Sequence, residues 1–287
     1  MRYPADQEAL ARQLGQFIDR ANKRLAQLLA LETPAMEILL VAPQHWKSAP
    51  HEETGELDLI PTGNELRSTS GQPVGEVELD LIPTGNELRS TSGQPVGEVE
   101  PDLLLPYWTD VTSPPSLVIP TQLDPIMGSG SPQKLAFLVF HELAHAFLEA
   151  DTRPWPLESP LWADEWQMQF AALWLFQQEF DVQGVAMTDL HETFGEIFRP
   201  EPDGKTPVTV RGFDWYEDTT AHEYLEYTLL LERFAADLLA NYDATILPRF
   251  LESYRAELVL LSDDVTAKLA EVLGESGIGW LENLDYF

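Results

Sequence analysis

Two histidines and a glutamate stand close together in HELAHAF, the sequence of residues 141–147. Residues four apart on a helix project from one face, so His141 and His145 can place two imidazoles on one tetrahedral metal ion. Glu142 points beside them, where a carboxylate can hold a water molecule and accept its proton. The pattern is a signature of zinc hydrolases, and it predicts Zn2+ as the cofactor with Glu142 as the general base.

The helix that must position these residues is otherwise apolar. Between Lys134 and Glu149 the chain reads LAFLVFHELAHAFL, and its polar side chains are only those of His141, Glu142 and His145. A helix that is apolar all round is buried, and buried polar groups are costly unless something satisfies them. A bound cation satisfies all three, whereas the structural alternative is two core histidines bonded to backbone or carboxylate.

A catalytic zinc site needs a third protein ligand. The downstream candidates are Asp151, Glu158, Asp164, Glu165, His191 and His222. The segment SPLWADEWQMQFAALWLF predicts a helix capped at Ser159-Pro160 and reaching about Phe180, with its large apolar residues on one broad face. Glu165 falls inside that face and Asp164 outside it. A carboxylate directed into the core requires a partner, so Glu165 is the preferred ligand.

The motif and the helix-borne Glu that follows it about twenty residues later resemble the gluzincin class of zinc metallopeptidases. The resemblance implies that His141, His145 and Glu165 bind zinc, and that Glu142 is the base. DEWQMQFAALWL is loosely similar to the Glu-bearing helix of the ImmA/IrrE group of cytosolic peptidases, one residue out of step. The similarity covers roughly residues 37–180, and Gln169 stands where many gluzincins place an Asp.

Two other classes of zinc protease fit the sequence less well. Metzincins resemble HELAHAFLEAD with Asp151 as the third ligand, but they need a Gly three residues after the second His, where this chain has Leu148. A SprT-like protease needs a third His shortly after the motif, and the next one downstream is His191.

A peptidase of this kind also needs a hydrogen-bond donor for the oxyanion, usually a Tyr or His from outside the two motif helices. The stretch DWYEDTTAHEYLEY contains His222 and Tyr224 near a predicted helix start, and we take these two as catalytic candidates. Tyr227 lies in the same stretch. Aromatic residues at this spacing are also typical of a hydrophobic core.

The predicted elements indicate an α+β fold. Their order of helix, strands, edge strand, HExxH helix and Glu-bearing helix resembles the minimal gluzincin core, which implies a small mixed sheet packed on the two motif helices. Ser131 is the predicted N-cap of the HExxH helix, with Pro132 at its first position and its end near Ala150. The other predictions are a helix at 6–31, strands at 37–42 and 116–123, a loop at 198–214, and helices at about 219–241, 244–260 and 264–273.

We therefore expect two parts, a zincin-like catalytic core at 1–182 and an acidic helical C-terminal part at 183–287 packed on it. The core includes a perfect tandem repeat, because ELDLIPTGNELRSTSGQPVGEV occupies residues 56–77 and recurs at 78–99. Each copy alternates β-prone pieces with turn residues, which predicts a hairpin or ribbon. It is either a lengthened surface hairpin of little consequence or a rim or partner-docking ribbon.

Composition limits the function further. With 48 acidic and 17 basic residues the net charge is −31, which repels nucleic acid and anionic membranes, so neither is an expected partner. The sequence has no cysteine and no long apolar run, so we expect a cytoplasmic protein without a thiolate metal site. The function predicted is a zinc metallopeptidase acting on a peptide or protein substrate. The alternative is a non-catalytic zincin-fold binding or scaffold protein that uses its acidic surface and repeat ribbon.

Overall fold

The computed structural model describes residues 1–50, 103–195, 208–212 and 220–287. The tandem repeat at 56–77 and 78–99 and most of the predicted loop at 198–214 lie outside these described residues. Within them the fold is mixed α and β, as predicted, and mostly helical with one small sheet. No helix in the described part of the chain is long and apolar enough to cross a membrane.

The described residues include eight α-helices and three strands. The helices are α1 (Glu8–Leu29), α2 (Pro132–Glu149), α3 (Leu161–Phe180), α4 (Thr188–Thr193), α5 (Ala221–Asn241), α6 (Ile246–Tyr254), α7 (Ser262–Leu273) and α8 (Gly277–Glu282). The strands are β1 (Glu37–Val41), β2 (Tyr107–Thr109) and β3 (Ser116–Pro120). Helices α1, α2, α3, α5 and α7 match the predicted ones to within a few residues. The helix predicted at 244–260 is shorter, and β2, α4 and α8 are additional elements.

The sheet has β3 at its centre, in the order β1-β3-β2. β1 runs parallel to β3 with Leu39 opposite Val118, and β2 runs antiparallel to it with Trp108 opposite Leu117. The expectation that an edge strand directly precedes the HExxH helix was therefore wrong, because the strand before α2 is the central one. In the described sheet the edge strands are β1 and β2. β2 is three residues long and buried throughout, so it shows no alternation that a sequence could reveal.

Helix α2 begins as predicted. The Ser131 side chain accepts a hydrogen bond from the backbone N–H of Lys134 at 3.0 Å, and Pro132 occupies the first turn. The predicted Ser159 cap of α3 was wrong, since Pro160 is the N-cap residue and makes no side-chain cap bond. The Ser159 hydroxyl instead donates to Asp164 at 3.4 Å.

Helices α2 and α3 pack against each other at the centre of the molecule, with α1 and β2 on α2 and with α5 and α6 on α3. One hydrophobic cluster runs through all of these helices, and it includes Leu25, Phe140, Trp166, Phe234 and Phe250. Residues on both sides of position 182 therefore share one core. The two motif helices are fixed from several directions, which is what a preorganised site between them requires.

Candidate metal centre

Three side chains from α2 and α3 converge between the two helices. His141 Nε2 lies 3.1 Å from His145 Nε2 and 3.6 Å from Glu165 Oε2, and the distance from His145 Nε2 to the same oxygen is 4.0 Å. All three side chains are almost completely buried. In the described part of the chain, this is the one group of His, Asp and Glu side chains that could hold a metal ion.

The three ligand atoms fit a tetrahedral zinc ion. Zinc binds His nitrogen and carboxylate oxygen at about 2.0 to 2.2 Å, which separates two ligand atoms by about 3.3 Å at the tetrahedral angle. The three measured separations lie around that value, so a small adjustment of side-chain torsions would place all three on one ion. Two imidazoles and one carboxylate are also a donor set that suits zinc.

Gln169 orients the first histidine. Its Oε1 atom lies 2.7 Å from His141 Nδ1, and its Nε2 atom donates to the backbone oxygen of Thr228 on α5 at 3.4 Å. Because the amide nitrogen is engaged on α5, the amide oxygen faces the imidazole and accepts its Nδ1–H. The Nε2 atom of His141 then faces Glu165 Oε2, 3.6 Å away. Gln169 stands where many gluzincins place an Asp. It therefore contacts His141 with an uncharged hydrogen-bond acceptor in place of a carboxylate.

Strand β2 holds the glutamate of the motif. Glu142 Oε2 accepts a hydrogen bond from the backbone N–H of Trp108 at 3.0 Å, and the Trp108 indole donates to Glu149 at 2.6 Å. Burial raises the pKa of Glu142 to about 8, with the His141 charge and the Trp108 N–H lowering it and the Glu165 charge raising it. Trp108 was absent from the sequence-based site, since a backbone N–H leaves no trace in residue type.

The two histidines have different proton affinities. Burial lowers the pKa of His145 well below its ordinary value, and the neighbouring His141 lowers it further. Burial acts the same way on His141, but the carboxylates of Glu165 and Glu142 outweigh it and raise the pKa of His141. A histidine binds metal only in its neutral form, so a metal ion at this cluster competes with a proton for His141.

The two predicted oxyanion donors on α5, Tyr224 and His222, have different environments: Tyr224 is partly buried and the His222 side chain is exposed. Burial raises the pKa of Tyr224, and the charges of Glu142 and Glu165 raise it further, so its phenol lies within electrostatic reach of both acids and stays protonated. His222 has an exposed side chain whose Nε2 atom is 3.3 Å from Glu226, and its ring contacts Phe194. Neither of these two contacts involves a residue of the cluster.

The other candidate ligands have different neighbours. Asp151 binds Arg153, Asp164 accepts a hydrogen bond from the Tyr254 hydroxyl, and His191 Nε2 lies 2.9 Å from Glu232. Glu158 is exposed on the loop before α3. Of the carboxylates and histidines considered from the sequence, the structure brings Glu165 to the histidine pair.

The fold and the cluster together define a candidate mononuclear metal centre in an α+β protein. Comparisons of the chain with protein-family models, with curated proteins and with solved structures found no match. Helix α2 supplies the imidazoles of His141 and His145 and the carboxylate of Glu142. Helix α3 supplies the carboxylate of Glu165, and α5 supplies Tyr224.

Proposed function

We propose that this chain is a zinc-dependent peptidase of the gluzincin type, in which His141, His145 and Glu165 hold the metal. The observation that supports the proposal is the convergence of two Nε2 atoms and one carboxylate oxygen within 4.0 Å. The HExxH helix also supplies Glu142 beside them. Zinc, when bound, supplies Lewis acidity, which polarises a carbonyl and makes a water molecule more acidic.

Glu142 is the general base in this proposal, in the ionised form that a cation held at the cluster would favour by lowering the pKa of the carboxyl group. Its Oε2 atom is held by the N–H of Trp108, so the carboxylate has a fixed orientation and its Oε1 atom is left to accept a proton from the attacking water. After attack, the same carboxylic acid can return that proton to the nitrogen of the leaving amine. Because β2 fixes the group before substrate arrives, little reorganisation is needed at the moment of reaction.

Tyr224 is the proposed donor to the oxyanion that forms from the peptide carbonyl. Its phenol stays protonated, and it comes from α5, outside the two motif helices, so it can approach a substrate from a separate direction. A donor aimed at developing negative charge is worth about 10² to 10³ in kcat. His222 remains the second sequence candidate for this role, with an exposed side chain.

The test begins with the metal content of the full chain after expression with ample zinc. Elemental analysis should find about one zinc per chain, and denatured casein should be hydrolysed. Glu142→Gln removes the base without removing a ligand, so it should retain zinc and lose activity by about 10² to 10⁴. Tyr224→Phe should lower kcat with little change in KM, and Tyr227→Phe, one turn along the same helix, is its matched control.

Three results would overturn the proposal or one of its parts. A folded, full-length protein that holds no zinc under these conditions contradicts the metal centre. If zinc is bound and Glu142→Gln hydrolyses casein at the original rate, Glu142 is not the base. If zinc is bound and the original chain hydrolyses no protein substrate, the cluster is structural and the chain is a binding or scaffold protein.

A further inference from the structure

A single tryptophan joins the edge strand β2 to two carboxylates of helix α2. The Trp108 side chain is buried, and its indole N–H donates to Glu149 Oε2 at 2.6 Å. The backbone N–H of the same residue donates to Glu142 Oε2 at 3.0 Å. Glu142 is the proposed base, whereas Glu149 has no part in the proposed reaction. The contact between Glu149 and the indole therefore needs a reason of its own.

Helix geometry lets one residue reach both acids. Glu142 and Glu149 are seven residues apart on α2, which is almost two full turns, so their side chains leave the helix in nearly the same direction. Their Cα atoms are about 10 Å apart along the helix axis. The main chain of Trp108 contacts the first acid and its indole reaches the second. β2 is thus attached to this face of α2 at two points.

Pairing with β3 does not by itself place the Trp108 N–H on Glu142. In an antiparallel pair, alternate residues direct their N–H and C=O groups toward the partner strand and away from it. Trp108 lies opposite Leu117 and its N–H donates to α2, so it is one of the residues directed away from β3. β2 is also only three residues long. The side chain of Trp108 is therefore a second constraint on where this N–H lies.

Glu149 is well suited to supply that constraint. A charged acceptor makes a hydrogen bond shorter and stronger than a neutral acceptor does. Glu149 is also the last residue of α2, where the helix dipole disfavours a negative charge, and the last turn of α2 has no basic residue. An acid at this position is explained by its contact with the indole rather than by the stability of its own helix.

We propose that Glu149 is a positioning residue, which holds the indole of Trp108 so that the backbone N–H of Trp108 fixes the carboxylate of Glu142. The consequence for catalysis rests on the proposed peptidase function. A base that is free to rotate is aligned less often with the attacking water, and a displacement of about 1 Å can cost about 100-fold in rate. Because a base acts in the reaction step, loosening it should lower kcat with little change in KM.

Initial rates of casein hydrolysis by the full chain with zinc test the catalytic part. Glu149→Leu removes the acceptor, so kcat should fall by about 10- to 100-fold with KM within about threefold. Glu149→Gln removes the charge but keeps an acceptor oxygen, so it should lose less than about fivefold. Trp46→Phe is the matched control, since Trp46 is buried and its ring contacts Tyr107 of β2, and its kcat should stay within about threefold.

A double-mutant cycle tests whether Glu149 acts through the indole. Trp108→Phe removes the indole N–H and keeps the backbone N–H, so it should lower kcat about as much as Glu149→Leu does. In the Trp108→Phe background, Glu149→Leu should cost less than about threefold more, because the contact is already lost. Two full losses that multiply would show that the residues act independently, and they would overturn the proposal.

Nuclear magnetic resonance tests the link without using activity. The full chain labelled with ¹⁵N-tryptophan gives a backbone and an indole signal for each tryptophan, and Trp108→Phe identifies the two Trp108 signals by their loss. Glu149→Leu should move the indole proton signal upfield, because a short hydrogen bond is lost, and should also move the Trp108 backbone signal. Glu142→Gln should move the backbone signal and leave the indole signal in place.

The two measurements separate this proposal from the proposed function. A Trp108 backbone signal that stays in place in Glu149→Leu overturns the positioning role, whatever the activity of the chain. In an active chain, the role is also overturned if Glu149→Leu keeps the original kcat, or if Glu149→Gln or Trp46→Phe loses as much as Glu149→Leu does. A chain with no activity on casein contradicts the proposed peptidase, and the Trp108 signals then decide the positioning role alone.

Discussion

At the scale of single residues, Asp164 and Glu165 are neighbours in sequence whose carboxylates have unrelated partners. Glu165 lies 3.6 Å from His141 Nε2, whereas Asp164 accepts a hydrogen bond from the Tyr254 hydroxyl on α6. A helix turns about 100° per residue, so one of the two can face α2 and the other cannot. We predict that Glu165→Ala loses most of its zinc, as His145→Ala does, and that Asp164→Ala retains about one zinc per chain.

Measurement of zinc stoichiometry in the two purified variants, alongside thermal unfolding, checks this prediction. Asp164→Ala should unfold earlier because the Tyr254 hydroxyl loses its acceptor, at a cost of about 1 to 3 kcal/mol. The variant thus separates stability from metal binding. If Asp164→Ala loses its zinc and Glu165→Ala keeps it, the third ligand is Asp164 and our assignment of Glu165 is wrong.

Gln169 gives a second prediction at this scale. Gln169→Leu removes the acceptor of the His141 Nδ1–H, so the imidazole loses its fixed orientation and zinc affinity should fall by about 10- to 100-fold. Gln169→Glu keeps an acceptor and should bind zinc at least as tightly as the original chain. Competition with a fluorescent chelator measures both affinities.

The control for Gln169 lies on the same helix. Gln167 is buried and donates to the backbone oxygen of Ala163, and neither histidine is among its partners. Gln167→Leu makes the same chemical change and should leave zinc affinity within about threefold, as expected when no ligand is touched. Equal losses in the two leucine variants would mean that the effect comes from helix packing.

At the scale of elements, the sequence was sufficient for long periodic segments and insufficient for short or non-local ones. Helices α2 and α3 were placed to within a residue or two, because their apolar residues repeat at helical spacing and Ser131 and Pro132 mark a start. The same periodicity shows which face of α3 is buried, and Glu165 lies on that face, toward α2. Strand β2 is three residues long, and its contribution is the N–H of Trp108, so residue types could not reveal it.

Arg255 is another contribution that the sequence did not reveal, because its partners are far away along the chain. It follows α6 and is buried, and its guanidinium donates to Leu148 O at the end of α2 and to Arg153 O in the next loop, both at 2.7 Å. The same group lies 3.5 Å from the centre of the Trp155 ring. Burial lowers the pKa of Arg255 to about 10, so it is still charged at neutral pH. It therefore fixes the turn that connects the two motif helices.

We predict that Arg255→Met lowers the free energy of unfolding by about 2 to 4 kcal/mol, because two buried carbonyls lose charged donors. Urea unfolding followed by circular dichroism measures the change. Arg249→Met is the matched control, since Arg249 is exposed and donates to the backbone oxygen of Thr245, the N-cap residue of the same helix, and its cost should stay below about 1 kcal/mol. Equal unfolding midpoints for the two variants would show that Arg255 does not stabilise the turn.

At the scale of the whole molecule, the excess of carboxylates should influence which substrates arrive. A net charge of −31 creates a field that attracts cations and repels anions, and salt screens it over about 8 to 10 Å. If the chain is a peptidase, we predict that lysine-rich peptides have a higher kcat/KM than glutamate-rich peptides of the same cleavage sequence. The ratio should shrink as sodium chloride rises, and a ratio that does not depend on salt would exclude electrostatic steering.

The tandem repeat lies between two strands that β3 holds on opposite sides, since β1 ends at Val41 and β2 begins at Tyr107. Deleting residues 78–99 leaves one copy in register and shortens this connection by about a third. The closure entropy of a loop depends on the logarithm of its length, so if the repeat is the lengthened surface hairpin predicted from the sequence, the deletion changes the folding free energy by only a few tenths of a kcal/mol. We therefore predict that the shortened chain unfolds cooperatively near the original urea midpoint with its zinc bound.

A chain with residues 78–99 replaced by a Gly-Ser linker of equal length separates the effect of length from that of sequence. Loss of cooperative unfolding in both altered chains would show that the second copy belongs to the folded core.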